Sequence, residues 1–186
     1  ETSWETADAV IIKKLGEVSA AGKKIAIVSS SIVSPSTKKV IADFAVKYPT
    51  TKHVVYDAVS YYGLLKGNEM SFGRFAIPSY SFDNADVIVG IGADFLSTWL
   101  SPVEFARQYS ATRKLRGGKK NMSRHIQIET TLSVTGSNAD MRIKLRASEQ
   151  STAVAALYNK IAAMAGGASV SAPASAGSAD YATAAN

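Results

Sequence analysis

The stretch that most limits what this chain can fold into is Asp86-Val87-Ile88-Val89-Gly90-Ile91, followed at once by Gly92-Ala93-Asp94. The run is apolar and largely β-branched with no polar alternation, which predicts a strand covered on both faces, as in a parallel sheet. Gly90 and Gly92 tolerate backbone angles that bulkier residues resist, so residues 92–94 are expected to turn the chain out of the sheet. Ser101-Pro102-Val103-Glu104 then reads as an N-cap, a first-turn proline and a capping-box glutamate, with Phe105 and Tyr109 on one helical face. Ligands of open α/β sheets sit beyond the carboxyl ends of strands. This turn is therefore where a nucleotide would sit if the chain holds one.

The rest of the chain repeats the same alternation. Trp4, Ala7, Ile11, Leu15 and Val18 recur at helical spacing over residues 2–18, with a capping box at residues 2–5. Residues 24–29 form a strand. Ser34 and Pro35 open a helix expected to turn Val40, Ile41, Phe44 and Ala45 inward. Residues 53–57 make a second strand, parallel to the first across that helix. Residues 60–65 read as a brief helix or loop, and residues 67–80, with their glycines, Pro78 and aromatics, as an irregular connection.

Beyond the central strand and helix, residues 125–129 are a fourth strand and residues 130–138 a polar loop. Residues 141–145 alternate apolar and basic, the pattern of an edge strand. Ser148 is placed as the cap of a last helix carrying Val154, Leu157, Ile161 and Met164. Residues 1–165 thus predict one α/β domain of the three-layer, Rossmann-like kind, with a mostly parallel five-stranded sheet between helices on both faces. Residues 166–186, dominated by Gly, Ala and Ser, predict a flexible linker.

Composition narrows the chemistry. There is no cysteine among the 186 residues, which excludes disulfides, thiolate nucleophiles and thiolate-held iron–sulfur clusters in this segment. No apolar run approaches the ~18 residues of a membrane span, and the N-terminus lacks signal-peptide features. The first residue is Glu1, not methionine, which predicts a piece of a longer protein. Much of the net charge of +6 lies in Arg107, Arg113, Lys114, Arg116, Lys119, Lys120 and Arg124, a segment without an acid. That segment is either a patch for phosphate, anionic lipid or an acidic partner, or a solvated loop around Gly117-Gly118.

Individual motifs are sparse. Gly90-Ile91-Gly92 supplies two of the three glycines of a dinucleotide fingerprint. His53 and His125 lie in strands without neighbouring ligands and are expected to be partly buried or surface imidazoles. Trp4 and Trp99 are read as packing residues, Asp83 and Asp86 as the polar approach to a strand. No serine, histidine and acid set forms a nucleophilic triad.

Residues Ser81-Phe82-Asp83-Asn84-Ala85-Asp86 and the strand and turn through Asp94 resemble the first nucleotide-binding α/β domain of the molybdopterin oxidoreductases. In that family a similar strand ends in G-x-N-P at the dinucleotide. Its downstream pattern D-P-R-x-T-x-T-A-x-x-A-D, a short strand and P-G-T-D are similar in spacing to Glu129-Thr130-Thr131-Leu132-Ser133-Val134-Thr135-Gly136-Ser137-Asn138-Ala139-Asp140, residues 141–146, and Ala147-Ser148-Glu149-Gln150. The resemblance implies that Glu129 stands where an aspartate holds a ribose, and Gln150 where an aspartate accepts two hydrogen bonds from guanine. An amide offers one acceptor oxygen and turns its N–H groups on a second donor. Each charge-assisted bond lost removes about 1.5–3 kcal/mol.

A second likeness lies in Gly92-Ala93-Asp94-Phe95-Leu96-Ser97-Thr98-Trp99-Leu100, the following residues to Tyr109, and Met122-Ser123-Arg124-His125-Ile126-Gln127. These runs look like the molybdopterin-like, iron–sulfur subunit of bacterial alternative complex III, a family often labelled Tat-translocated molybdopterin oxidoreductase. The resemblance, over residues 1–165, implies a periplasmic, quinol-oxidising respiratory complex held at the inner membrane by partner subunits. It implies a subunit that keeps the molybdoenzyme fold without molybdenum, with its iron–sulfur clusters in a separate cysteine-rich portion.

The leading expectation is accordingly a cofactor-free, non-catalytic scaffold domain of such a subunit, with Gly92, Asp94, Glu129 and Gln150 as a vestigial dinucleotide site and no metal ligands. The alternative is the cofactor-binding domain of an active oxidoreductase carrying molybdopterin guanine dinucleotide. A third reading, a module that binds nucleic acid or acidic lipid through the basic loop, ranks behind both, and no nucleic acid is expected.

Overall fold

The computed structural model describes residues 1–115, 117 and 120–171, and divides into two compact units, Glu1–Pro78 and Ser79–Asn186. Arg116, Gly118 and Lys119 of the basic loop, and most of the Gly/Ala/Ser-rich segment, lie outside the described residues.

The first unit runs α1 (Trp4–Ala20), β1 (Ile25–Ser29), α2 (Pro35–Lys47), β2 (Thr51–Val55) and α3 (Tyr62–Phe72). Ser3 caps α1 by accepting from the Thr6 N–H, and Ser34 caps α2 by accepting from the Thr37 N–H, with Pro35 in the first turn. The two strands are parallel, Ile25 beside Thr51 through Ser29 beside Val55, and α2 is their crossover. α3 replaces the expected short helix or loop and part of the irregular connection. Its glycines, Gly63 and Gly67, depress helix propensity, and it has no side-chain cap, so the local signal is weak.

None of residues 1–78 is buried. Ile41, Phe44 and Ala45 are half-covered as expected, but Val40 is exposed, and so are Trp4 and Ile11 of the α1 stripe.

The second unit holds a 3-10 turn at Phe82–Asn84, then β3 (Val87–Ile91), α4 (Pro102–Arg113), β4 (Arg124–Glu129), α5 (Val134–Ser137) and β5 (Met141–Lys144). A 3-10 turn at Ala147–Glu149 leads into α6 (Gln150–Ala165). The three strands form a parallel sheet in the order β3-β4-β5. Pairing across the chain thus gives an α/β fold with parallel sheets of two and three strands.

Strand alternation sorts the β4 side chains onto two faces. Ile126 and Ile128 pack with Leu145 and Ala153 of α6. His125 and Gln127 share the opposite face with Ile88, where α4 supplies Phe105 and Tyr109. Phe82 stacks on Phe95 at 4.5 Å, and Phe105 meets Phe82 edge-on at 5.1 Å. Trp99 joins this cluster, a packing role as expected.

Several helix ends differ from expectation. Ser101 makes no side-chain cap bond, and Glu104 instead accepts from the Gln108 side chain within α4. Ser148 does not cap α6; the preceding turn is closed by the Arg146 N–H donating to Glu149 Oε2. The buried residues of α6 are Ala153, which packs on Ile126, Ile128 and Leu145, and Ala155 and Ala162, while Val154, Ile161 and Met164 are exposed. Small side chains let the helix approach the sheet closely, and apolar periodicity alone marks the larger residues instead.

Candidate functional site

The carboxyl ends of β3 and β4 bring all four sequence-derived site residues into one neighbourhood. Gly92 follows β3 with φ of 64°, a left-handed turn that suits glycine. A Cβ at Gly92 would lie 3.1 Å from Gln150 Nε2, so the first residue of α6 covers the turn. Asp94 is two residues further on, and Glu129 ends β4.

The two carboxylates are engaged by this chain's own residues. Asp94 Oδ1 accepts from the Thr135 N–H at 3.0 Å and from the Thr135 hydroxyl at 2.7 Å. The same hydroxyl accepts from the Leu96 N–H at 2.9 Å, so fully buried Thr135 joins α5 to the turn after β3. Asp94 Oδ2 takes the Thr98 hydroxyl, and its carbonyl takes the N–H groups of Ser97, Thr98 and Trp99.

Glu129, only 4% exposed, accepts from the Ser133 hydroxyl at 2.6 Å, the Ser133 N–H at 3.2 Å and Arg142 Nε at 2.5 Å. Burial pushes its carboxyl pKa up, but the Arg142 and Ser133 bonds outweigh that and hold it below the ordinary value. A ribose hydroxyl would have to compete with those donors.

Gly136 is what permits this arrangement. A Cβ there would come within 2.0 Å of Glu129 Oε1, so glycine leaves the room that the carboxylate occupies. Gly90 plays a similar part beside the same face of β4: a Cβ would come within 2.0 Å of Gln127 Oε1. The Gly90-Ile91-Gly92 pair therefore divides between a side-chain slot and a turn. Gly90 is filled from below by Gln127.

Ser133, Thr135, Gly136 and Arg142 were not legible as site residues. The nearest signal is local: Ser133 caps the four-residue α5 by accepting from the Gly136 N–H, a short-range serine–glycine turn within an otherwise polar loop.

His125, expected to be partly buried or at the surface, is fully buried instead, against Phe95 and Tyr109. His53 lies 2.8 Å from Ser29 Oγ, but that hydroxyl donates to the Ser30 carbonyl, so the imidazole is placed to donate and not to abstract a proton. Asp57 holds the loop after β1 by accepting from the Ser31 N–H and hydroxyl. Among the basic residues, Arg113 forms a two-pronged pair with Asp140 at 2.6 and 2.7 Å and also donates to the Ser123 carbonyl. It is a structural tie between α4 and the start of β5. Among the described residues no group of His, Cys, Asp and Glu is arranged to hold a metal, and no helix is long and apolar enough to cross a membrane.

The α/β fold and the converging site define the class of protein only as far as architecture. No protein-family model matches the chain, and no curated protein matches it closely enough to count as a relative.

Proposed function

We propose that residues 1–165 are a non-catalytic scaffold domain of a periplasmic, quinol-oxidising respiratory subunit of the alternative complex III kind, in which a molybdoenzyme-like fold persists without its cofactor. One observation carries this reading. The positions that the resemblance assigns to the dinucleotide are locked into the protein's own framework, Asp94 by Thr135 and Glu129 by Ser133 and Arg142. Gln150 adds an amide over Gly92 where the family carries a carboxylate.

The proposal includes a single five-stranded sheet and partner subunits. Parallel strands are ordinarily covered on both faces, whereas Val28 of β1 and Val55 of β2 are 69% and 50% exposed. In the proposed assembly, continuation of the sheet and neighbouring subunits cover such surfaces. The complex reaches the inner membrane through those partners, and the iron–sulfur clusters sit elsewhere in the parent chain.

The convergence of Gly92, Asp94, Glu129 and Gln150 at two strand ends favours a second reading, the cofactor-binding domain of an active molybdopterin guanine dinucleotide enzyme. Molybdenum analysis and pterin fluorescence of the protein purified from a molybdenum-replete host separate the two. The scaffold reading expects neither molybdenum nor pterin at stoichiometric levels. Stoichiometric pterin, with little change on Gln150→Asp, establishes the second reading instead.

A further inference from the structure

His125 is 0% exposed, and each of its ring nitrogens faces an oxygen. Nδ1 lies 3.0 Å from the Tyr109 hydroxyl and Nε2 lies 3.3 Å from Gln127 Oε1. The Tyr109 hydroxyl has one proton, and it points to the Asn138 carbonyl at 2.9 Å. The Gln127 amide nitrogen donates to the Ala93 carbonyl at 3.2 Å, and flipping that amide would set two oxygens against each other. A neutral imidazole carries one N–H and can serve one of the two facing acceptors. An imidazolium serves both.

The charged groups around the ring come from every element packed on it. From α4, the Arg113 guanidinium lies 5.3 Å from the Tyr109 ring centroid. From the start of β5, Asp140 pairs with Arg113 and accepts the His125 backbone N–H at 2.8 Å. Glu129 lies further along β4. Burial lowers the imidazole pKa below its ordinary value, and Arg113 adds to this; the Gln127 bond, Asp140 and Glu129 oppose it without reversing it.

We propose that His125 is a proton-operated joint linking β4, α4 and the turn after β3. In the neutral state Nδ1–H donates to Tyr109, the shorter contact, and Nε2 faces Gln127 with no proton between them. Protonation at Nε2 completes the bond to Gln127. Gln127 in turn holds the Ala93 carbonyl, next to Asp94. The proton state of a buried ring is thereby relayed to the rim of the candidate site, whether or not that site ever holds a ligand.

The test is nitrogen-15 NMR of the whole chain labelled at histidine and backbone amides, titrated downward from about pH 8. The inference expects the Nδ1–H tautomer at high pH and an imidazole midpoint below that of the same ring in the urea-unfolded chain. It also expects the Ala93 and Asp94 amides to titrate with that midpoint. Tyr109→Phe should move the proton to Nε2 and uncouple the two amides from pH, and Gln127→Leu should uncouple them and lower the midpoint further. An Nε2–H tautomer in the unaltered chain, a midpoint matching the unfolded chain, or Ala93 and Asp94 amides that ignore the ring overturns it, even if neither variant folds.

Discussion

Gly136 and Glu129 show how one hydrogen atom in place of a methyl group decides a site. Glu129 is buried and held by Ser133 and Arg142, so it has little freedom to retreat from a methyl group 2.0 Å away. Gly136→Ala is expected to destabilise the second unit by about 1–3 kcal/mol through overpacking. A urea denaturation curve with an unchanged midpoint would refute that crowding. Thr135→Val should cost about 1–3 kcal/mol, because Asp94 and the Leu96 N–H lose their shared hydroxyl.

Asp140 adds a pH dependence. Two bonds from Arg113 hold its pKa at about 2, against an ordinary 3.8, with burial opposing and the His125 N–H assisting. A depressed carboxylate pKa contributes stability above the unfolded value, and that contribution is lost as pH falls from 3.8 towards 2. The side chain is 40% exposed, so solvent screening leaves roughly 1 kcal/mol of it. Asp140→Asn should flatten stability against pH across that window, as read by thermal melts at successive pH values.

At the scale of elements, α4 is the main brace of the second unit. Phe105 is 2% exposed and meets Phe82, Tyr80 and Trp99. Phe105→Ala is expected to cost about 3–5 kcal/mol, visible as loss of near-ultraviolet circular dichroism at lower urea. Much of this level was legible in sequence. The apolar run at residues 87–91 and the proline opening of α4 arise from local chemistry and both elements form there, but β3, expected to be covered on both faces, leaves Val87 and Val89 exposed. α3 was obscured by its glycines, and α5, with four residues, is too short for any apolar period to register. The buried alanines of α6 were hidden for a different reason, since close packing rewards small side chains that periodicity does not weigh.

The site was legible by halves. The turn after the apolar run pointed to residues 92–94 and the family resemblance to Glu129 and Gln150, but the lock on Asp94 joins residues 41 apart and depends on a fold no local pattern specifies. The burial of His125 belongs to the same category. Its neighbours in sequence are ordinary strand residues, and its environment is made by α4 and the turn after β3.

For the whole molecule, the two units carry different degrees of cover. The second has buried cores on both faces of its sheet, and the first has no buried residue. A two-stranded sheet whose faces are at most half-covered is marginal in isolation, so residues 1–78 expressed alone should show little protection in amide hydrogen exchange. Robust protection there would mean that the first unit needs no neighbouring surface.

Asp94 and Glu129 at the strand ends are satisfied by the protein's own donors. Whether those groups are still open to a nucleotide is read by titrating the chain with GDP, the guanine end of the dinucleotide, and following the amide signals of residues 92–94 and 129–136. A strand-end site filled in this way should give no saturable shift up to millimolar GDP; saturable shifts centred on Gly92, Asp94 and Glu129 would show that it is still open to the nucleotide.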